Sequence, residues 1–129
     1  MIAMKMHPRW LLSLVVPCLL FGYDDATLKP ITIVGTVVDT GCYMVHDGIG
    51  QDHAGCATEC AKKGIPLAIL DDSGKVYLPL GANHKNPNTQ LMPFIEKKVK
   101  VTGTSIERGG LSGIAIKTVE LAKTGEAAK

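Results

Sequence analysis

Aromatic side chains are scarce in this chain of 129 residues: two Phe, three Tyr and one Trp make up 5 % of it. Proteins that hold single-stranded nucleic acid stack its bases on aromatic platforms, and Tyr43, Tyr77 and Phe94 are too few and too scattered to build one. An excess of either charge is lacking too. Fourteen Lys and Arg against twelve Asp and Glu leave a formal charge of +2, too weak a field to mark a surface for nucleic acid or anionic lipid. Long apolar runs are missing. The longest, Trp10 to Phe21, is interrupted by Ser13 and Pro17 and falls well short of the roughly 20 residues that a membrane-spanning helix needs. No Cys-x-x-Cys-His offers haem attachment, no glycine-rich loop precedes a helix to cradle phosphate, and no Ser, His and Asp set suggests a hydrolytic triad. No enzyme activity is thereby assigned, and a binding role is favoured over catalysis. With 46 % hydrophobic and 20 % charged residues, what remains is one ordinary globular domain.

The first 26 residues read as an export segment. Lys5 and Arg9 supply a cationic start and Trp10 to Phe21 the apolar stretch of a secretory signal. This predicts a periplasmic or extracellular protein with no membrane span in its mature form. No small-x-small triplet precedes Thr27, so the cleavage position is not defined. Cys18 follows Pro17, where a lipidated cysteine would follow a small residue. Removing the segment leaves three cysteines.

From Lys29 the pattern is that of a sheet. Ile31, Ile33, Gly35 and Val37 alternate with Thr32, Val34, Thr36 and Val38, which predicts a first strand over residues 30–39 with a bend at Gly35. Residues 52–63 favour helix, with Asp52 as the cap and Gly64 and Pro66 as the stop. Strands at 65–70 and 75–80 flank Asp71-Asp72-Ser73-Gly74, a hairpin turn sequence, and Pro79 puts the later one at an edge or near its own end. After a polar loop from Asn83 to Pro87, a second helical stretch opens at Asn88, with Leu91, Phe94 and Ile95 on one face. Alternation resumes at 97–106, where Lys98 and Lys100 mark a solvated face. Glu107-Arg108-Gly109-Gly110 then turns the chain into a last strand from Leu111 to Leu121, whose apolar phase slips near Lys117 and predicts a bulge there. Residues 122–129 read as a flexible tail. The order predicts a mainly β fold: a small five-stranded OB-like barrel over residues 27–121, with a short Cys-bearing helix inserted after strand 1.

Against this background, three of the four cysteines and two of the four histidines crowd into residues 42–60. Three thiols cannot all pair within one chain. On a helix His53, Cys56 and Cys60 fall at i, i+3 and i+7 and share a face. Cys42 leaves the end of the first strand, and residues 43–52, with glycines at 48 and 50, are long and flexible enough to bring it back. Cys42, His53, Cys56 and Cys60 therefore make a candidate Cys3His tetrahedral site within the insertion at 42–64, with His46 as an alternative ligand or gate. Thiolate softness and export leave copper or zinc as the metal. Asp39 either orients a ligand or merely ends its strand, and His84 reads as an ordinary loop residue. A structural disulfide from Cys42 to Cys56 or Cys60 stays open as the alternative.

Three resemblances add to this. Lys98-Val-Lys-Val-Thr-Gly-Thr104 with its Gly-Gly turn resembles the fourth and fifth strands of exported bacterial OB-fold domains. Gly35, Val37, Val38, Asp39, Cys42 and Tyr43, then His53, Cys56, Ala57, Cys60 and Gly64, resemble a group of uncharacterised exported bacterial proteins with a C-Y … H-x-x-C-A-x-x-C cluster. Cys56-x-x-x-Cys60 is similar to the copper-binding pair of Sco-type copper chaperones, although no proline follows the second Cys here. The readings carried forward are an exported module that binds a metal ion in delivery, storage or electron transfer, with a periplasmic or extracellular protein partner; a disulfide-stapled OB-type module for a peptide, glycan or oligonucleotide; and a thiol-redox protein.

Overall fold

The computed structural model describes residues 27–81 and 84–126. Residues 1–26, predicted to be an export segment, with Cys18, and the end of the tail lie outside them. Five strands close a barrel in the order β1-β2-β3-β5-β4: β1 Thr27–Asp39, β2 Leu67–Asp71, β3 Val76–Pro79, β4 Lys98–Arg108 and β5 Leu111–Leu121. β1 is the long member. It pairs antiparallel with β4 along its length and with β2 over its last five residues, while β3 meets β5 in parallel and completes the ring. This is the small five-stranded barrel that the alternation predicts.

Period-two patterning explains the interior. Ile33, Val37, Ile69, Val99, Val101 and Ile114 are all but fully buried in one cluster, each on the inward side of its strand. Close strand approach dictates two glycines. A Cβ on Gly35 would collide with the backbone carbonyl oxygen of Leu70, and one on Gly103 with that of Ala115. The predicted bulge is present: Thr102 pairs with Thr118 and Gly103 with Ile116, which leaves Lys117 as the extra residue. Gly109 and Gly110, at φ 58° and 79°, form the two-residue turn that a tight hairpin requires. After β5 the chain keeps close to β4, where Lys98 O accepts from Ala122 N and Lys100 pairs with Glu126 at 2.6 Å.

Two helical expectations need correction. The stretch from Asn88 is a pair of 3-10 turns, Pro87–Gln90 and Met92–Phe94, rather than one amphipathic helix. Pro93 lacks the N–H group that a continuous helix would use and disfavours helical geometry at Met92, whereas Pro87, at the first position, costs no helical bond. Leu91 and Ile95 still reach the core, with Phe94 half-buried. The insertion after β1 holds two helices rather than one: α1 Thr40–His46 and α2 Ala54–Lys62, the latter entered through a 3-10 turn at Gln51–His53. α2 turns Ala57 and Ala61 into the barrel core. It ends as predicted at Gly64, φ 95°, with Gly64 N bonded to Ala61 O and Ile65 N to Cys60 O, the paired bonds of a glycine-terminated helix. Asp52, expected to cap α2, is exposed in the 3-10 turn and caps nothing. No helix of the described residues is long and apolar enough to cross a membrane.

Candidate metal centre

Asp39 organises the site. It ends β1 fully buried, a position a carboxylate tolerates only with partners, and it has two. Oδ1 accepts from Cys42 N at 2.9 Å, which caps α1. Oδ2 lies 3.1 Å from His53 Nε2. Burial pushes the Asp39 carboxyl up, but the Cys42 amide, the His53 ring and the Cys42 thiol together hold it below its usual range. The cap corrects one expectation. Cys42 is not at a strand end before a ten-residue loop; it sits in the first turn of α1, and the free loop shortens to Asp47–Gly50. The Asp-x-x-Cys spacing was a legible cap signal.

The two helices then meet across this carboxylate. Cys42 Sγ is 4.0 Å from Cys56 Sγ. Cys42, His53 and Cys56 offer donor atoms within 4.8 Å of one another, and so do Asp39, Cys42 and Cys60. The four members of the predicted set thus fall into two neighbouring triads that share Cys42, with Asp39 added as a fifth donor. Cys56 is exposed, while Cys42, Cys60 and His53 are half-buried. His46 takes no part in either triad. It is exposed in the last turn of α1. His84 sits at φ 59° in an exposed turn elsewhere.

Chemistry at the sulfurs follows from this crowding. Burial, contact with Cys56 and the Asp39 charge push the Cys42 thiol up to about 12. Burial and the same carboxylate raise Cys60 as well. Without a cation these thiols keep their protons. A soft cation would replace those protons and turn the same crowding into ligation. With Nε2 engaged by Asp39, the His53 Nδ1 is the ring nitrogen left for a metal, a carboxylate–histidine arrangement that fixes tautomer and ring plane.

Two further buried polar residues, neither marked by a local sequence signal, frame the site. Asn88 accepts from Leu67 N at 2.8 Å and donates to Ile65 O at 2.8 Å and Ala61 O at 3.4 Å, tying the end of α2 to the barrel. Glu96, 5 % exposed and at φ 56°, accepts from Gly50 N through Oε2 at 2.7 Å, and its backbone oxygen accepts from the Gln51 side chain. Its Oε1 is buried with no hydrogen-bond partner, and burial pushes its carboxyl up despite the Gly50 bond. Through Gly50 it holds down the loop in which Gly48 backs onto Cys42 and His53.

No family model, curated protein or solved structure matches the chain. Its site is read from its own residues: a mainly β barrel carrying a Cys/His group able to hold a metal ion.

Proposed function

We propose that the protein is an exported metal-binding module that holds copper or zinc through Cys42, His53, Cys56 and Cys60 and serves metal delivery or storage. One observation carries the reading: the side chains of Cys42, His53 and Cys56, from separate helical segments, place their donor atoms within 4.8 Å of one another, and a buried carboxylate bonds Nε2 of the histidine. A structural disulfide has no use for that ring or its Asp39 partner. The exposed thiol of Cys56 suits exchange of the ion with an incoming ligand from a periplasmic or extracellular partner. Thiolate and imidazole donors select zinc or cuprous copper.

Elemental analysis of the purified chain tests this, together with thiol titration before and after chelation. The expected result is at least one equivalent of zinc or copper, with the clustered thiols protected until the metal is stripped. A metal-free chain with Cys42 joined to Cys56 overturns it. That outcome is the second reading, a disulfide-stapled domain, and the 4.0 Å sulfur separation favours it over any other pairing. The sulfurs would have to close by about 2 Å to bond.

A further inference from the structure

The donor atoms do not form one set of four. They divide into two triads, Cys42 with His53 and Cys56, and Cys42 with Asp39 and Cys60, which share a single atom, the Cys42 sulfur. A tetrahedral ion bound by thiolates at about 2.3 Å needs its donors all within about 4 Å of one another; each triad lies within 4.8 Å, a small closure away, whereas the full set does not meet even that distance. The triads are joined as well as distinct: Asp39 belongs to one and bonds His53 of the other, and α2 supplies a thiol to each, Cys56 and Cys60.

Charge leads to the same place. Three thiolates and the Asp39 carboxylate carry four negative charges when all ligate, and among the described residues Asp39 has no Lys or Arg partner. One divalent ion on Asp39, Cys42 and Cys60 leaves one of their three charges uncompensated in a half-buried site, where charge is costly. Two divalent ions cancel all four, with His53 neutral.

Resting on the metal-binding reading above, we propose that the centre is dinuclear: the Cys42 thiolate bridges two divalent ions, one held also by His53 and Cys56, the other by Asp39 and Cys60. A thiolate has lone pairs for two metals, and each Asp39 oxygen retains one beyond its present hydrogen bond. Three protein donors per ion leave a fourth position for water or a transfer partner, as in sites that keep an open coordination position.

Stoichiometry separates this from the reading it rests on. The full chain carrying Cys18→Ser, reduced and oxygen-free, is titrated with Cd²⁺ while sulfur-to-metal charge-transfer absorbance is followed, and zinc loading is counted by native mass spectrometry. The expected break is at two equivalents. Cys60→Ser should leave one ion, and Cys42→Ser should weaken both by at least a hundredfold, with circular dichroism checking that each variant folds. A break at one equivalent overturns the bridge and leaves the metal-binding reading standing. No binding at all overturns both. Two ions retained in Cys42→Ser, or one retained at full affinity, shows separate sites and overturns the bridge.

Discussion

The β4–β5 hairpin is closed by two glycines and a ladder of backbone bonds broken once, at the Lys117 bulge, whereas the segment between β1 and β2 is held by three buried polar side chains from outside or at the edge of it: Asp39, Asn88 and Glu96. The hairpin's positions follow from neighbours in sequence, and its buried side chains are apolar except for Ser105. The insertion buries only Ala57 and Ala61 in the core, so packing alone does not fix where its cysteines stand. Carboxylates and an amide do that instead. A site that leaves a thiol exposed, as this one leaves Cys56, is not wrapped in hydrocarbon, and directional bonds to buried acceptors are the remaining way to position it.

The comparison breaks first where packing is tight. Gly35→Ala should be the most damaging change, because the added carbon meets the Leu70 backbone, with the carbonyl carbon at 2.9 Å and its oxygen nearer still. Neither strand can yield without losing its register, and the expected cost is about 3 kcal/mol, the upper end for overpacking. Chemical denaturation measures it. A loss below about 1 kcal/mol would mean that the barrel is looser than its buried strands imply. Gly113→Ala is the built-in contrast, since its obstacle is the Leu80 side chain, which can move.

Asn88→Ala should come next, at about 2 kcal/mol, because it leaves the buried Leu67 amide and Ile65 carbonyl without partners. Unlike Gly35→Ala, it should also loosen the site, since α2 loses its tie to β2. Hydrogen exchange is expected to quicken in α2 before the barrel. Uniform quickening would show that insertion and barrel open together.

Asp39→Asn sharpens the comparison from the site's side. The amide can still accept from Cys42 N and cap α1, but where its NH2 replaces Oδ2 it cannot accept from His53. Loss of such a support costs about 10- to 100-fold in metal affinity, read by competition with a chelating dye, while the melting temperature falls little. Unchanged affinity would show that neither Asp39 nor the His53 it supports ligates. Proton linkage gives a related test. The Cys42 thiol, pushed up to about 12, holds its proton throughout the neutral range, so a binding ion has to displace it. Affinity should then rise with pH by about tenfold per unit for that proton. A flat profile between about pH 6 and 8 removes Cys42 from the ligand set.

The same contrast explains what was legible in the sequence. Alternation located all five strands, the Lys117 phase slip and the Gly-Gly turn, because a strand's sidedness is written residue by residue. The cluster was legible as a concentration of Cys and His, and the i, i+3, i+7 spacing put His53, Cys56 and Cys60 on one side. What was missed is non-local. Asn88 acts 21 residues from the amide that it satisfies, and Glu96 acts 46 residues from Gly50. Nothing beside either residue marks it as buried. α1 was missed for a different reason: Gly41 and the β-branched Thr40 and Val45 give it poor propensity, and the Asp39 cap supplies what propensity lacks.

The smallest expected effect tests how closely the loop is fitted to the metal donors. Gly48 has no positive φ to explain it. Its constraint is space, since a Cβ there would lie 3.2 Å from both Cys42 Cβ and His53 Nε2. That is tight without being prohibitive, so the loop or the ring must give by a few tenths of an ångström. Glu96 resists the first by holding Gly50 N at 2.7 Å, which directs the strain into the His53 ring and its bond to Asp39. Gly48→Ala should therefore leave the melting temperature nearly unchanged and weaken metal binding a few-fold. Combining it with Glu96→Gln, which replaces the charged latch by a weaker neutral acceptor, should restore part of the loss as the loop lifts away. If the double variant binds metal no better than Gly48→Ala alone, Glu96 does not hold the loop against the site.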